Sequence, residues 1–166
     1  MPDDIRCIEA LVIHDEFRPT NDAISKEYRY FFTTSEKNLV IARELMALVS
    51  YDLDLDRMRL AAKTFVGKYD FKNFHCLGSD PVSTIRSVTY CDIEALAEDP
   101  GGLLPQRYYL KIVGDGFLKQ MVRLIMGAIW DVGRGRLEVL DIKNALDSNE
   151  FKHIAPVAPP VGLYKY

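Results

Sequence analysis

TIRSVTYCDIEAL (84–96) and QRYYLKIVG (106–114) are the stretches that decide the fold of this 166-residue chain. Both are rich in β-branched and aromatic residues, which is typical of strands. The segment between them contains Pro100, Gly101 and Gly102, which favour a turn. Two long strands joined by a turn predict an antiparallel pair.

Three other segments have the composition of strands. They are residues 5–13, 26–33 and 161–166. Side chains alternate between the two faces of a strand, so the second segment should direct Tyr28, Tyr30 and Phe32 to the same face.

The remaining segments repeat apolar residues with the period of a helix. The predicted helices run from a cap at Ser35 to Val49, from a cap at Asp54 to Phe65, over 117–132 and over 138–147. The element order is therefore ββααββααβ. It predicts one α+β domain over 1–166, in which an antiparallel sheet has helices packed on one face.

The composition is that of a globular protein, with 48% hydrophobic and 27% charged residues. Its cysteines, Cys7, Cys76 and Cys91, are odd in number and form no C-x-x-C pair, which disfavours a disulfide framework and a zinc site. The longest apolar stretch, 117–132, is too short and too charged to span a membrane. The acidic start of the chain does not resemble an export signal, so we expect a cytoplasmic protein.

The net charge of −3 argues mildly against nucleic acid, because phosphate binding depends on Lys and Arg. However, acidic residues concentrate at 3–4, 52–56 and 94–99, whereas many basic residues lie in other segments. Those basic residues are Lys26, Arg29, Arg86, Lys119, Arg123, Arg134 and Arg136. Only the fold can gather them on one surface.

The predicted helix in GDGFLKQMVRLIMGAIWDVG (114–133) carries two basic residues, Lys119 and Arg123, four residues apart. One interpretation is a solvated flank of the helix. The other is that Arg123 binds a carboxylate or phosphate through its two-pronged guanidinium. Spacing alone leaves both open.

Five motifs, in order, resemble the TruA family of tRNA pseudouridine synthases. They are KEYRY (26–30), DFKNF (70–74), TIRSV (84–88), GFLKQMVRLIMG (116–127) and GLY (162–164). The resemblance implies a pseudouridine synthase-like fold and isomerisation of uridine to pseudouridine at tRNA positions 38–40, in the anticodon stem-loop. It also implies a homodimer that needs no cofactor and no metal.

The family's catalytic aspartate lies in an R-T-D-x-G-V-H motif, which this sequence does not contain. Asp115 lacks the preceding Arg-Thr. In addition, MPDDI (1–5) resembles an L-P-x-D-I segment that lies mid-chain in the family. We therefore expect a C-terminal part of such an enzyme, inactive alone, that binds RNA and completes the active-site pocket.

The resemblance implies three pocket residues. Tyr28 matches the tyrosine that stacks on the target base, Arg123 matches the arginine that pairs with the catalytic aspartate, and Leu163 matches an apolar residue of the uracil pocket. Without the motif, Tyr28 would be interpreted as a core tyrosine. The candidate RNA-binding residues are Arg18, Lys26, Arg86, Lys119, Arg134 and Arg136. Arg18 is included because Thr20 occupies a position where many members have arginine.

Two alternatives remain at this stage. The chain could be a non-catalytic RNA-binding or dimerisation module, or a small α+β enzyme that uses Cys76 with His14 or His153. The spacing of acids in 52–56 resembles a calcium loop, but a helix cap at Asp54 explains it better because a turn glycine is missing.

Overall fold

A computed structural model describes residues 7–13, 15–18, 22–36, 39–76, 78–79 and 81–166, with the backbone alone at Leu39 and Ile41. The strands are β1 Lys26–Thr33, β2 Ala47–Leu48, β3 Gly67–Asp70, β4 Ile85–Ala95, β5 Tyr108–Gly114 and β6 Leu163–Lys165. The helices are α1 Leu39–Ala42, α2 Leu55–Thr64, α3 Met121–Gly133 and α4 Val139–Asp147, with a 3-10 turn at Lys72–Phe74.

The strands form one sheet in the order β2-β1-β5-β4-β3, and β6 also pairs with β1. All pairs are antiparallel except β1 with β2. The helices pack on one face of this sheet, so the predicted α+β fold class is confirmed. The antiparallel pair predicted from 84–96 and 106–114 corresponds to β4 and β5.

The core lies between the sheet and the helices. Tyr30 and Phe32 of β1 are fully buried there and Tyr28 packs against the same cluster, as the alternation predicts. Helix α3 is buried along nearly its whole length. Gly127 contributes to this, because a Cβ at that position would lie 1.9 Å from the carbonyl oxygen of Pro156. Helix α3 and the segment 156–160 therefore touch backbone to backbone.

The helix predicted from Ser35 to Val49 is wrong in extent. Only one helical turn, α1, forms, and Ala47 and Leu48 form a strand instead. These residues pair in parallel with Phe32 and Thr33 of β1. Tertiary pairing to a buried strand outweighs the local helical pattern here.

The strand predicted over 5–13 is also wrong within the described residues 7–13, which have no regular secondary structure. Ile8 and Val12 are almost fully exposed. A strand needs a hydrogen-bonded neighbour, and the described chain provides none for this segment. Residues 5 and 6 and Thr20 lie outside the described residues.

The other helices are close to prediction. Asp54 caps α2 by accepting hydrogen bonds from the backbone N–H groups of Asp56 and Arg57, which confirms its role as a cap. Helix α4 matches its prediction, whereas α3 begins at Met121 rather than at Phe117. No helix within the described ranges is long and apolar enough to cross a membrane.

Candidate functional site

A cavity of about 250 Å³ opens where β1, β6 and the start of α3 meet. Its lining combines apolar, aromatic and basic side chains: Tyr28, Phe117, Leu118, Lys119, Gln120, Met121, Val122, Arg123 and Leu163. The structure thus brings together Tyr28, Arg123 and Leu163, the three pocket residues that the sequence predicts, from segments far apart in the chain.

Tyr28 forms an aromatic wall of the cavity together with Phe117. The two rings meet edge to face, with their centroids 5.2 Å apart. Backbone pairing fixes the other side of Tyr28, which lies opposite Ile112 of β5 and Lys165 of β6. Such contacts hold an aromatic ring in a defined orientation. Tyr28 therefore presents a fixed, half-buried surface to the cavity.

Leu163 enters the cavity because β6 lies against β1, where it pairs with Tyr30. The preceding residue, Gly162, has φ of 94° and approaches β1 closely, since a Cβ there would lie 2.3 Å from the carbonyl oxygen of Phe31. The Phe31 N–H donates to the Gly162 carbonyl at 2.7 Å. Only glycine combines this conformation with this approach, so Gly162 sets the position of Leu163.

Arg123 lies in the first turn of α3, half-buried. Its Nε donates to the carbonyl oxygen of Ala158 at 2.6 Å, and the Ala158 N–H donates to the Arg123 carbonyl at 3.1 Å. Within the described part of the chain, no carboxylate forms an ion pair with Arg123. The guanidinium is therefore held in place while its charge has no acidic partner.

The segment that holds Arg123 is anchored to the core by Tyr30. The Tyr30 hydroxyl donates to the carbonyl of Pro159 at 2.7 Å. Burial raises the pKa of Tyr30 well above its usual range, although the nearby charge of Arg123 partly opposes this shift. The hydroxyl therefore stays protonated and keeps donating, which fixes the segment 156–160 against both β1 and α3.

Lys119 does not lie on α3, contrary to the predicted helical flank shared with Arg123, because the helix begins two residues later. The two residues nevertheless line the same cavity. Sequence reasoning missed Phe117 and Gln120 as cavity residues. It placed Phe117 on an apolar helix face, and no helical pattern could show that the chain turns before α3 and directs these residues into the cavity.

The charge of its lining distinguishes the cavity of Tyr28 and Arg123 from four other cavities of the described chain. Among the described residues, its lining includes two basic residues, Lys119 and Arg123, and no carboxylate. Four other cavities of the described chain each include at least one Asp or Glu in the lining. An anionic ligand is therefore favoured at the cavity of Tyr28 and Arg123.

Two of the other predicted RNA-binding arginines have intramolecular partners. Arg86 donates through Nη1 to the carbonyls of Ser83 and Ile85, at 2.9 and 2.6 Å. Arg134 forms an ion pair with Asp131 and lies over the ring of Tyr51. Both arginines have a structural explanation besides any role in RNA binding.

The remaining predicted basic residues do not line the cavity. Arg18 is exposed and its backbone N–H donates to the carboxylate of Asp22. Lys26 is half-buried at the start of β1, and Arg136 is exposed just after α3. Of the six predicted RNA-binding residues, Lys119 is thus the one that lines the described cavity.

Other reactive side chains lie elsewhere. Cys91 is buried in β4, and burial raises the pKa of its thiol. His153 Nε2 lies 2.8 Å from the carbonyl oxygen of His75 and donates to it. His14 lies outside the described residues. Within the described part of the chain, no group of three or more His, Cys, Asp or Glu could hold a metal ion.

Comparison with known proteins gives consistent matches. A family model for tRNA pseudouridine synthases matches residues 61–166. The chain is 36% identical to tRNA pseudouridine synthase A 2 of Desulfotalea psychrophila, over 99% of this chain and 63% of the relative. It is 33% identical to tRNA pseudouridine synthase A of Bacillus subtilis, over 99% and 63%. For the Thermosipho africanus protein of that name, the identity is 34%, over 100% and 64%. The chain thus spans less than two thirds of the length of these relatives.

Proposed function

Because this chain belongs to the tRNA pseudouridine synthase family, we propose that it binds the anticodon stem-loop of tRNA and forms one side of a pseudouridine-forming pocket. The targets proposed are uridines at tRNA positions 38–40. The observation that carries the proposal is the convergence of Tyr28, Arg123 and Leu163 on one cavity whose described lining is basic and free of carboxylates.

Each wall of the cavity suits part of a uridine nucleotide. An extruded base stacks well on an aromatic ring, which Tyr28 offers, and Leu163 gives an apolar surface for the base edge. The positive charges of Lys119 and Arg123 suit the anionic backbone. The arrangement therefore favours a single flipped nucleotide over a small neutral ligand.

Isomerisation breaks the C1′–N1 bond of uridine, rotates the uracil and rejoins it through C5, while the C5 hydrogen leaves as a proton to solvent and N1 takes up a proton. The family performs this reaction with an aspartate. Among the described residues, the cavity lining contains no carboxylate and Arg123 has no acidic partner. We therefore propose that this chain binds without turnover, and that a segment carrying an R-T-D-x-G-V-H motif supplies the acid that pairs with Arg123.

The test is binding of a labelled anticodon stem-loop at fixed salt, followed by fluorescence anisotropy. Removing the stacking ring in Tyr28→Ala should weaken binding by about 5- to 150-fold, since stacking is worth roughly 1 to 3 kcal/mol per base. Arg123→Ala should also weaken it. Arg43→Ala is the matched loss of charge, because Arg43 is exposed and its one ion pair among the described residues is with its neighbour Glu44. Equal affinity for all four proteins would contradict the proposal.

Turnover is tested separately with tRNA tritiated at C5 of uridine, because forming the C5 glycosidic bond releases that hydrogen. The chain alone should release no tritium above background. A segment bearing the aspartate motif, added in trans or joined in a longer chain, should restore release. Release by the chain alone would show that its own residues supply the acid.

We further propose that the chain forms a homodimer through the face of the sheet opposite the helices. That face is rich in aromatic and basic side chains, with Arg29 lying 4.0 Å from the ring centroid of Tyr166 and 5.5 Å from that of Tyr109. Tyr166 is 61% exposed there. Tyrosine and arginine are enriched in protein interfaces, and the core helices α2, α3 and α4 all pack on the opposite face of the sheet.

Light scattering after size exclusion tests this assembly. Tyr166→Glu places a charge in the proposed interface and should shift the protein to the monomer. The control is Leu140→Glu, which introduces the same charge at an exposed residue of α4, on the helical side. A dimer that persists in Tyr166→Glu, or a monomeric wild-type protein, would refute the proposed interface.

We also propose a cytoplasmic location. The three cysteines form no disulfide within the described structure, which suits a reducing compartment. Fractionation of cells that express a tagged protein would test this location directly.

A further inference from the structure

Gln120 precedes α3 and adopts a backbone conformation that glutamine rarely takes. We propose that it is a further substrate-contacting residue, whose side-chain amide donates a hydrogen bond to the phosphodiester adjoining the target uridine. This inference rests on the proposed function of the same cavity. It adds a residue and a ligand atom that the family motif does not assign.

The backbone of Gln120 has φ of 62° and ψ of 4°, in the left-handed region. It is the one non-glycine residue with positive φ in the described part of the chain. This region is unfavourable for a side chain with a Cβ, and residues held there cluster at binding and active sites. A glycine would take this conformation more readily, so the side chain needs an explanation.

No hydrogen bond among the described residues explains the side chain. Gln120 stands at the N-cap of α3, but its side-chain amide makes no capping hydrogen bond. That amide has no other hydrogen-bond partner within the described ranges. The residue is half-buried and lines the cavity beside Lys119 and Arg123. An uncommitted donor therefore borders the proposed nucleotide pocket.

The chemistry of the cavity selects the ligand atom. Tyr28, Phe117 and Leu163 offer aromatic and apolar surface, which suits the base. Lys119 and Arg123 add positive charge to the same cavity, and no carboxylate of the described lining competes for that charge. An anionic oxygen is therefore favoured near these two side chains. The amide N–H of Gln120 can donate a directed hydrogen bond to that oxygen. Such a bond is stronger when the acceptor is charged.

The experiment compares Gln120→Gly with wild type on two RNAs. One is the unmodified anticodon stem-loop, and in the other the phosphates on both sides of the target uridine are replaced by neutral methylphosphonates. Glycine suits the left-handed backbone, so the unfolding midpoint should be unchanged or raised. Binding of the unmodified RNA should weaken about 5- to 30-fold. On the neutral RNA, whose remaining phosphoryl oxygen accepts only a weaker hydrogen bond, the difference between the two proteins should be smaller.

Gln120→Glu is the second variant, in case glycine disturbs the turn. It keeps the size of the side chain and replaces the donating amide by an anionic acceptor. It should weaken binding of the unmodified RNA more than Gln120→Gly does, and this loss should shrink on the neutral RNA.

Three results would overturn the inference. They are wild-type affinity in Gln120→Gly, wild-type affinity in Gln120→Glu, and an equal loss on both RNAs, which would place the contact at the ribose or base. The proposed function fails in a different way, when wild-type protein itself does not bind the stem-loop or when Tyr28→Ala binds as wild type does. If wild type binds the stem-loop and Tyr28→Ala binds it weakly, while Gln120→Gly has wild-type affinity, only the inference on Gln120 is wrong.

Discussion

Gly127→Ala should destabilise the protein and weaken RNA binding through one backbone contact. The added Cβ would lie 1.9 Å from the Pro156 carbonyl oxygen, and contacts under 3.0 Å do not persist. The segment 156–160 must therefore retreat by about 1.1 Å or more. Alanine favours a helix by about 1 kcal/mol over glycine, whereas overpacking costs about 1 to 3 kcal/mol.

The cost of overpacking should lie in the upper part of its range, because the obstructing atom belongs to the backbone. The segment of that atom is held by hydrogen bonds to Arg123 and Tyr30. The net loss should be about 2 kcal/mol in free energy of unfolding, or about 4 to 8 °C in Tm. The retreat also draws Ala158 away from Arg123. Loss of that bond should lower RNA affinity about tenfold.

Gly133→Ala is the matched control, in the same helix. Its added Cβ meets Met58 Cγ at 2.6 Å, and that side chain can change rotamer, although it is buried. We expect stability within about 1 kcal/mol of wild type and unchanged RNA affinity. Urea denaturation followed by circular dichroism measures stability, and anisotropy measures binding. A Gly127→Ala protein as stable as Gly133→Ala, or one that is destabilised but binds normally while folded, would refute the reasoning.

Three further outcomes are expected. Lys119→Ala should reduce the slope of log affinity against log salt by about 1, because one phosphate contact is lost, and an unchanged slope would place Lys119 away from RNA. Tyr90 donates to Glu94 at 2.9 Å, and this carboxylate and burial raise the pKa of Tyr90 to about 12. Its contribution to stability is complete below pH of about 10 and is lost as pH rises towards 12. Denaturation from pH 9 to 12 should therefore show a steeper decline in wild type than in Tyr90→Phe. Cys91 should resist a thiol reagent in the native protein and react only on unfolding, whereas the exposed Cys7 should react at once. Fast labelling of all three thiols in the native protein would contradict the burial of Cys91.

Local chemistry made much of the fold predictable. The two-residue period of β1 placed Tyr28, Tyr30 and Phe32 on the core face, because strand geometry alone fixes that alternation. Asp54 could be identified as a helix cap, since its side chain bonds N–H groups only two and three residues away. The motif resemblance supplied Tyr28, Arg123 and Leu163 as members of one pocket.

Features that depend on distant partners could not be predicted. Ala47 and Leu48 form a strand because β1 has an open edge beside them, and residues 7–13 form none because the described chain offers no edge to pair with. Likewise, Phe117 and Gln120 line the cavity because α3 begins only at Met121 and the chain turns before it.

The sequence by itself determined the family, the alternation of the strands and the residue types of the pocket. Tertiary structure alone decided that the described lining of the cavity lacks a carboxylate, that Arg123 is held by Ala158, and that Gln120 adopts a left-handed backbone. Periodicity and caps arise from neighbours within a few residues, so the chain order encodes them directly. A cavity arises from side chains brought together by pairing of distant strands, and its charge and free donors exist only once those strands have met.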